Sequence, residues 1–84
     1  MSYNIIWSPK SKDDLKNINS EIVQRIIKKV TDLKLAPYHF LEKMTEVNCW
    51  KLRIGDYRVL IDINEKEKKI NVLKAGHRKK IYKP

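Results

Sequence analysis

Cysteine occurs once in this 84-residue chain, at Cys49, so no disulfide can form within it. Histidine occurs only at His39 and His77, and with a single thiol the chain has no zinc-type ligand spacing. Two glycines and three prolines leave no linker-like or low-complexity stretch, so one domain over residues 1–84 is expected. No apolar run is long enough to span a bilayer, and the opening Met1-Ser2-Tyr3-Asn4 lacks the basic start of a secretion signal. A cytoplasmic location is the expectation. Acidic residues are scarce, ten against nineteen basic ones, which leaves a net charge of +9. No carboxylate pair stands out, which argues against metal-dependent nuclease chemistry, and no cofactor is expected. The charge balance itself points to nucleic acid, a ribosome or an acidic protein as partner.

The elements follow from local patterns. Residues 3–7, Tyr-Asn-Ile-Ile-Trp, are aromatic and β-branched and read as a first strand. Ser8-Pro9 predicts a helix start, with Ser8 as N-cap and Pro9 in the first turn, where Asp13 and Asp14 also suit the helix dipole. Leu15 and Ile18 give that helix a modest apolar stripe. Asn19-Ser20 breaks the pattern and caps a longer helix, whose Ile22, Ile26, Val30 and Leu33 recur at spacings of three and four. It must end by Ala36, because Pro37 disfavours helical geometry in the residue before it. The two helices are expected to form a hairpin on one side of a sheet. Residues 37–45 read as irregular, with Tyr38, His39 and Phe40 packing a loop. Strands are expected over 44–54, 56–63 and 69–75, giving an α+β domain of order β-α-α-β-β-β with the other sheet face open.

Within that frame, residues 50–58 carry the most information. Gly55-Asp56 is a two-residue hairpin loop. It pairs Ile54 with Tyr57, Arg53 with Arg58, Leu52 with Val59 and Lys51 with Leu60. Alternation gathers Trp50, Leu52, Ile54, Tyr57, Val59 and Ile61 on one apolar face, and Lys51, Arg53 and Arg58 on the other. Arginines directly opposite each other repel, and a sequence keeps such a cost mainly where it serves a site. A second basic cluster follows in His77, Arg78, Lys79, Lys80 and Lys83, with Tyr82 among them. Together they predict an anion site, with a phosphate backbone as the anion.

Residues 50–59, Trp-Lys-Leu-Arg-Ile-Gly-Asp-Tyr-Arg-Val, followed by Ala-Gly-His-Arg at 75–78 and a tyrosine at 82, resemble the RelE/ParE superfamily of prokaryotic toxins, closest to its RelE branch. The resemblance implies the toxin of a type II toxin–antitoxin system: a ribosome-dependent endoribonuclease cutting mRNA in the A site. It also implies a cognate antitoxin, acidic by charge complementarity, that wraps the toxin with helices, often in a two-plus-two assembly. Carried over, the cluster is Lys51, Arg53, Arg58, Arg78 and Tyr82, of which Lys51, Arg58, Arg78 and Tyr82 are the catalytic candidates; Arg53, with His77, Lys79 and Lys80 of the basic tail, is expected to bind substrate. Cys49 stands where RelE has a further lysine. The ParE branch, which inhibits DNA gyrase without catalysis, is the alternative.

Metal-free cleavage requires attack of the 2′-OH on the adjacent phosphorus, a base, an acid, and positive charge on the phosphoryl oxygens. Arg58 and Arg78 suit the charge, because a guanidinium forks onto phosphate. Lys51, crowded by like charge, is expected to act as base or as phosphate clamp. His77 is either a proton carrier or a turn residue. Tyr82 either stacks on a base or closes the core.

Overall fold

The computed structural model describes residues 2–45 and 47–82. In chain order the elements are β1 (Asn4–Trp7), α1 (Pro9–Lys16), α2 (Ser20–Asp32), α3 (Pro37–Phe40), β2 (Glu42–Lys43), β3 (Trp50–Ile54), β4 (Tyr57–Asn64) and β5 (Lys69–His77). They build an α+β domain around one five-stranded sheet ordered β1-β5-β4-β3-β2. All neighbours are antiparallel except β1, which lies parallel to β5. Lys83, read from sequence as part of the basic tail, lies outside the described residues.

The core forms where two periodicities meet. On α2, Ile26 and Val30 fall one helical turn apart and are fully buried, with Leu33 just beyond the helix end. They pack with Leu52 and Ile54 of β3, Val59 and Ile61 of β4, and Ile70 and Val72 of β5. Every one of those strand residues sits on the same sheet face, as alternation requires. The expected helical hairpin takes a looser form: α1 packs along β5, whereas α2 packs over β3.

Ser8 caps α1 as its position before Pro9 predicts, accepting the Ser11 N–H at 3.0 Å. The same hydroxyl donates to the carbonyl of Leu73 at 2.9 Å, which fastens the helix to β5. Asp13 and Asp14 are not in the first turn. Asp14 instead works across the fold. Strand β1 ends opposite Val72, so the next free edge of β5 has no strand beside it. Asp14 Oδ2 accepts the Ala75 N–H there at 3.0 Å, while Oδ1 meets the ammonium of Lys10 at 2.7 Å. A carboxylate thus stands in for a missing strand just before the basic tail begins. Asp14→Asn keeps an acceptor and is expected to be mild. Asp14→Ala orphans a half-buried N–H and should cost about 1–3 kcal/mol in a denaturant melt.

Between Leu60 and Ile61 the β4–β5 register shifts, with Leu60 opposite Lys74 and Ile61 opposite Val72. Leu73 is the extra residue, a β-bulge that bends β5 where α1 docks.

Residues 37–45, read from sequence as irregular, hold the short α3 and the two-residue β2. Pro37 opens α3, and β2 adds an edge strand by pairing Glu42 with Lys51 and Lys43 with Trp50. Tyr38 does pack this segment to the body, edge-on to Trp50 at 5.0 Å. Its hydroxyl, like that of Tyr3, donates to the carboxylate of Glu65 in the β4–β5 turn, with Lys68 beside it at 3.2 Å. These bonds hold the Glu65 carboxyl at about 2, well below the usual carboxylate value, the Tyr38 hydroxyl being the largest cause. The depressed value means that this contribution to stability is present above the ordinary carboxylate pKa. It is lost as pH falls from about 4.5 towards about 2. Glu65→Gln should flatten the acid limb of a pH–stability curve, and an unchanged limb would place the acid sensitivity elsewhere.

Among the described residues no helix is long and apolar enough to cross a membrane.

Candidate nucleic-acid site

The hairpin register holds in full: Ile54 faces Tyr57, Arg53 faces Arg58, Leu52 faces Val59 and Lys51 faces Leu60. Gly55 has φ +56°, the left-handed region that glycine enters at least cost and the pattern of a tight hairpin with Gly first in the loop. A side chain there would also lie 3.5 Å from the guanidinium of Arg25. Arg25, on α2, therefore brings another cation to the turn. The sequence carries no local signal for it, because the contact joins a helix and a loop thirty residues apart.

Arg53 and Arg58 are opposite neighbours, yet their charges have internal partners, which corrects the expectation of unrelieved repulsion. The Arg58 guanidinium turns back along its own strand and donates, through Nη1, to the carbonyls of Gly55 and Tyr57, both at 2.8 Å. Arg53 leans instead towards Glu42, with Nη2 at 3.8 Å from Oε1. Glu42 also lies 3.7 Å from Lys51 Nζ, so one carboxylate serves two cations. It was not among the sequence candidates, because a two-residue edge strand is too short to show a period. These ion pairs are long and solvent-exposed, and pairs of that kind contribute only about 0–1 kcal/mol. Among the described residues Arg58 has no carboxylate partner.

Arg78 reaches the same turn from β5. Its N–H donates to the Asp56 carbonyl at 2.8 Å, and its Nε lies 3.5 Å from the Asp56 carboxylate. Asp56, a turn residue from sequence, is also the anchor of the tail. His77 packs edge-on against Tyr57 at 5.5 Å, and its Nδ1 accepts the Lys79 N–H at 3.2 Å. Its carbonyl accepts from Lys80 and Ile81, at 2.8 and 2.9 Å. The contacts His77 makes are those of a turn residue that aims the tail.

That turn carries the chain back over the sheet face away from α2, so the face expected to be open is partly covered. Ile81 is 4% exposed and Leu60 on that face 7%. The Ile81 methyl end lies 3.4 Å from where a Cβ on Gly76 would be, so the glycine makes room for it. Ile81, not Tyr82, closes the structure here. Tyr82 is half exposed and lines a pocket of about 280 Å³ with Lys51, Glu42, Lys43, Met44 and Thr45. Lys79 and Lys80 are exposed on the turn itself. Cys49 is buried, its sulfur 3.3 Å from that of Met44, and burial raises its thiol. The position offers no cation.

The geometry thus gathers Arg53, Arg58 and Arg78 with Arg25 around one hairpin turn, and Lys51 with Tyr82 in the adjoining pocket. Among the described residues no group of His, Cys, Asp and Glu is arranged to hold a metal ion.

Residues 5–82 match the family model described as the ParE toxin of the type II toxin-antitoxin system parDE. The chain belongs to that family. It is a type II toxin of the RelE/ParE superfamily, and the fold of solved members agrees. The RelBE2 toxin–antitoxin complex of Mycobacterium tuberculosis superposes with a TM-score of 0.85 at 21% identity, over 93% of this chain and 100% of that one. The archaeal RelE–RelB complex of Pyrococcus horikoshii gives 0.77 at 24% identity, over 95% and 99%. A mutant of the E. coli toxin RelE in the free state gives 0.78 at 17% identity, over 92% and 84%. No curated protein matches the chain at a significant level.

Proposed function

We propose that this toxin is a metal-independent endoribonuclease that cuts mRNA in the ribosomal A site. One observation supports this most: Arg58, with no carboxylate partner among the described residues, faces Arg53 across the hairpin while Arg78 is tethered to the same turn. Three guanidinium groups flanking one turn suit the non-bridging oxygens of a phosphate, where charge builds as the bond breaks.

In this reading the 2′-OH attacks the adjacent phosphorus in line with the leaving 5′ oxygen. The product is a 2′,3′-cyclic phosphate, and the leaving 5′ oxygen takes a proton from water to become a 5′-hydroxyl. Arg58 and Arg78 hold the phosphoryl oxygens, and Arg53 grips a neighbouring phosphate together with Lys79. Tyr82, half exposed beside Lys51, stacks on a base of the splayed message. Lys51 serves best as a clamp, since Glu42 holds its Nζ beside the pocket, 3.7 Å from Oε2. In this reading Glu42, beside Lys51, takes the 2′-OH proton. His77 aims the tail. The ribosome fixes the geometry that so open a site cannot impose, and positioning alone is worth up to roughly 7–11 kcal/mol.

Glu42→Gln separates two roles. As an internal anion, Glu42 competes with phosphate, so its removal should tighten RNA binding by a few-fold in fluorescence anisotropy. As proton acceptor, it should slow single-turnover cleavage even as binding tightens. Weaker binding in the variant would contradict the competitor role, and an unchanged rate would return the proton to Lys51.

The partner is a cognate antitoxin, as in the solved RelB complexes, and a chain of charge +9 selects an acidic wrapping segment. A second reading, gyrase inhibition without catalysis, draws on the ParE family match and on the neutral, buried Cys49. Inducing the toxin and mapping mRNA 5′ ends in arrested cells tests the first. New ends at the second or third position of codons support it. Arrest without new ends, with gyrase supercoiling blocked in vitro, supports the second.

A further inference from the structure

The C-terminal turn has two sides, and only one of them belongs to the site described. Tyr82 faces the pocket with Lys51. On the other side lies a groove of about 520 Å³ between α1 and the turn. Lys10, Lys74 and Lys80 line it, and Gly76 and Ile81 lie between them.

The charges there are unbalanced. Asp14 is the carboxylate in the groove, and both its oxygens are engaged, one by Lys10 and one by the Ala75 N–H. Among the described residues Lys74 and Lys80 have no carboxylate partner. Ammonium groups beside a small apolar surface fit an anionic polymer whose links are charged and whose intervening groups present flat, weakly polar faces. Single-stranded RNA has that make-up. An acidic peptide offers charges at the ends of flexible side chains and has less to lay on Gly76 and Ile81. Lysine, a point charge on a flexible stem, grips phosphate without demanding one orientation, which suits sequence-independent backbone binding.

Continuity gives the direction. The tight turn at His77 sends Arg78 to the hairpin and, two residues on, Lys80 to the groove. An RNA strand over the turn meets both in succession.

We propose that Lys10, Lys74 and Lys80 form a second phosphate subsite, holding single-stranded RNA backbone that flanks the nucleotide at the hairpin turn. The subsite rests on the reading of that turn as an RNA site, but it can fail separately. It makes binding depend on RNA length, because a strand confined to the hairpin turn does not reach α1.

The test is the salt dependence of RNA binding by the purified toxin. The probes are labelled uridine oligomers of roughly 4 and 12 nucleotides, the span of known single-strand site sizes. Lys10→Gln, Lys74→Gln and Lys80→Gln together should lower the slope of log affinity against log salt for the long RNA by about 2, as loss of three phosphate contacts requires. Binding of the short RNA should change little. Lys74→Gln with Lys80→Gln, which spares the Lys10–Asp14 pair, should lower the slope by about 1.4 and serves if the triple variant does not fold. An unchanged slope for the long RNA, with Arg58→Ala still weakening it, overturns the subsite alone. No binding of either RNA by the unaltered toxin at low salt overturns the subsite and the RNA reading together. Polyglutamate displacing the long RNA as well as unlabelled RNA does would assign the groove to an acidic protein and overturn the proposal.

Discussion

Arg58→Ala is expected to slow mRNA cleavage on programmed ribosomes by about 10²–10³-fold, the loss typical of removing one donor to a developing oxyanion. Arg78→Ala should do the same. The two differ in their side effects. Arg58 Nη1 bonds two main-chain carbonyls of the hairpin, so its loss loosens the turn as well as removing charge. Arg78 is joined to the turn by its own N–H, which alanine keeps, and by a long exposed ion pair. Thermal stability should therefore fall slightly for Arg58→Ala and hardly at all for Arg78→Ala. Arg58→Lys keeps a charge but loses the fork, and should recover only part of the rate. A loss of no more than a few-fold in both alanine variants would mean that these arginines hold the surface rather than the phosphate.

Ile61→Ala carries the largest expected effect on stability. Ile61 is fully buried on the central strand β4, flanked by Trp50 on β3 and Val72 on β5, and joins the core that α2 covers. Truncating an isoleucine in such a place removes its transfer energy and leaves a cavity, for about 2–5 kcal/mol. In a domain of this size each kcal/mol lowers Tm by roughly 4–8 °C. The control is Ile61→Val, which should cost about 0.5–1.5 kcal/mol. Equal effects of the two substitutions would mean that the site collapses freely. Activity per folded molecule should be nearly unchanged, since the side chain points away from the cationic face.

The hairpin was legible from sequence because one constraint fixes it: a two-residue loop at Gly55 sets the register, and alternation then sorts every side chain from Trp50 to Ile61. Helix α1 was legible for a similar reason, since Ser8-Pro9 is a purely local signal. What escaped depends on distant contacts. Asp14 looks like a dipole-favoured helix residue, yet its acceptor role involves Ala75, 61 residues away. Arg25 falls on the polar side of α2 and becomes a neighbour of Gly55 only once the helix packs over β3. Glu42 joins the site through a two-residue edge strand. The burial of Leu60 on the cationic face requires the tail to fold back, and its turn is built on main-chain bonds to the His77 carbonyl. Charge and alternation placed the cations of the candidate site; its carboxylate and its cover depend on tertiary contacts.

Repulsion between Arg53 and Arg58 is not a cost left standing until RNA arrives. Glu42 and two carbonyls absorb part of it. Only the Arg53–Glu42 contact is long and exposed, so under the proposed function a phosphate would take the place of that carboxylate while the 2.8 Å carbonyl bonds of Arg58 stay.

The most direct measurement uses purified toxin, programmed ribosomes and two messages that differ by one oxygen in the A-site codon. The all-ribose message should be cut to a 2′,3′-cyclic phosphate, and the message with a 2′-deoxy nucleotide at the scissile position should stay whole. Equal cutting of both, or an all-ribose message left intact while the toxin blocks gyrase, would contradict the account.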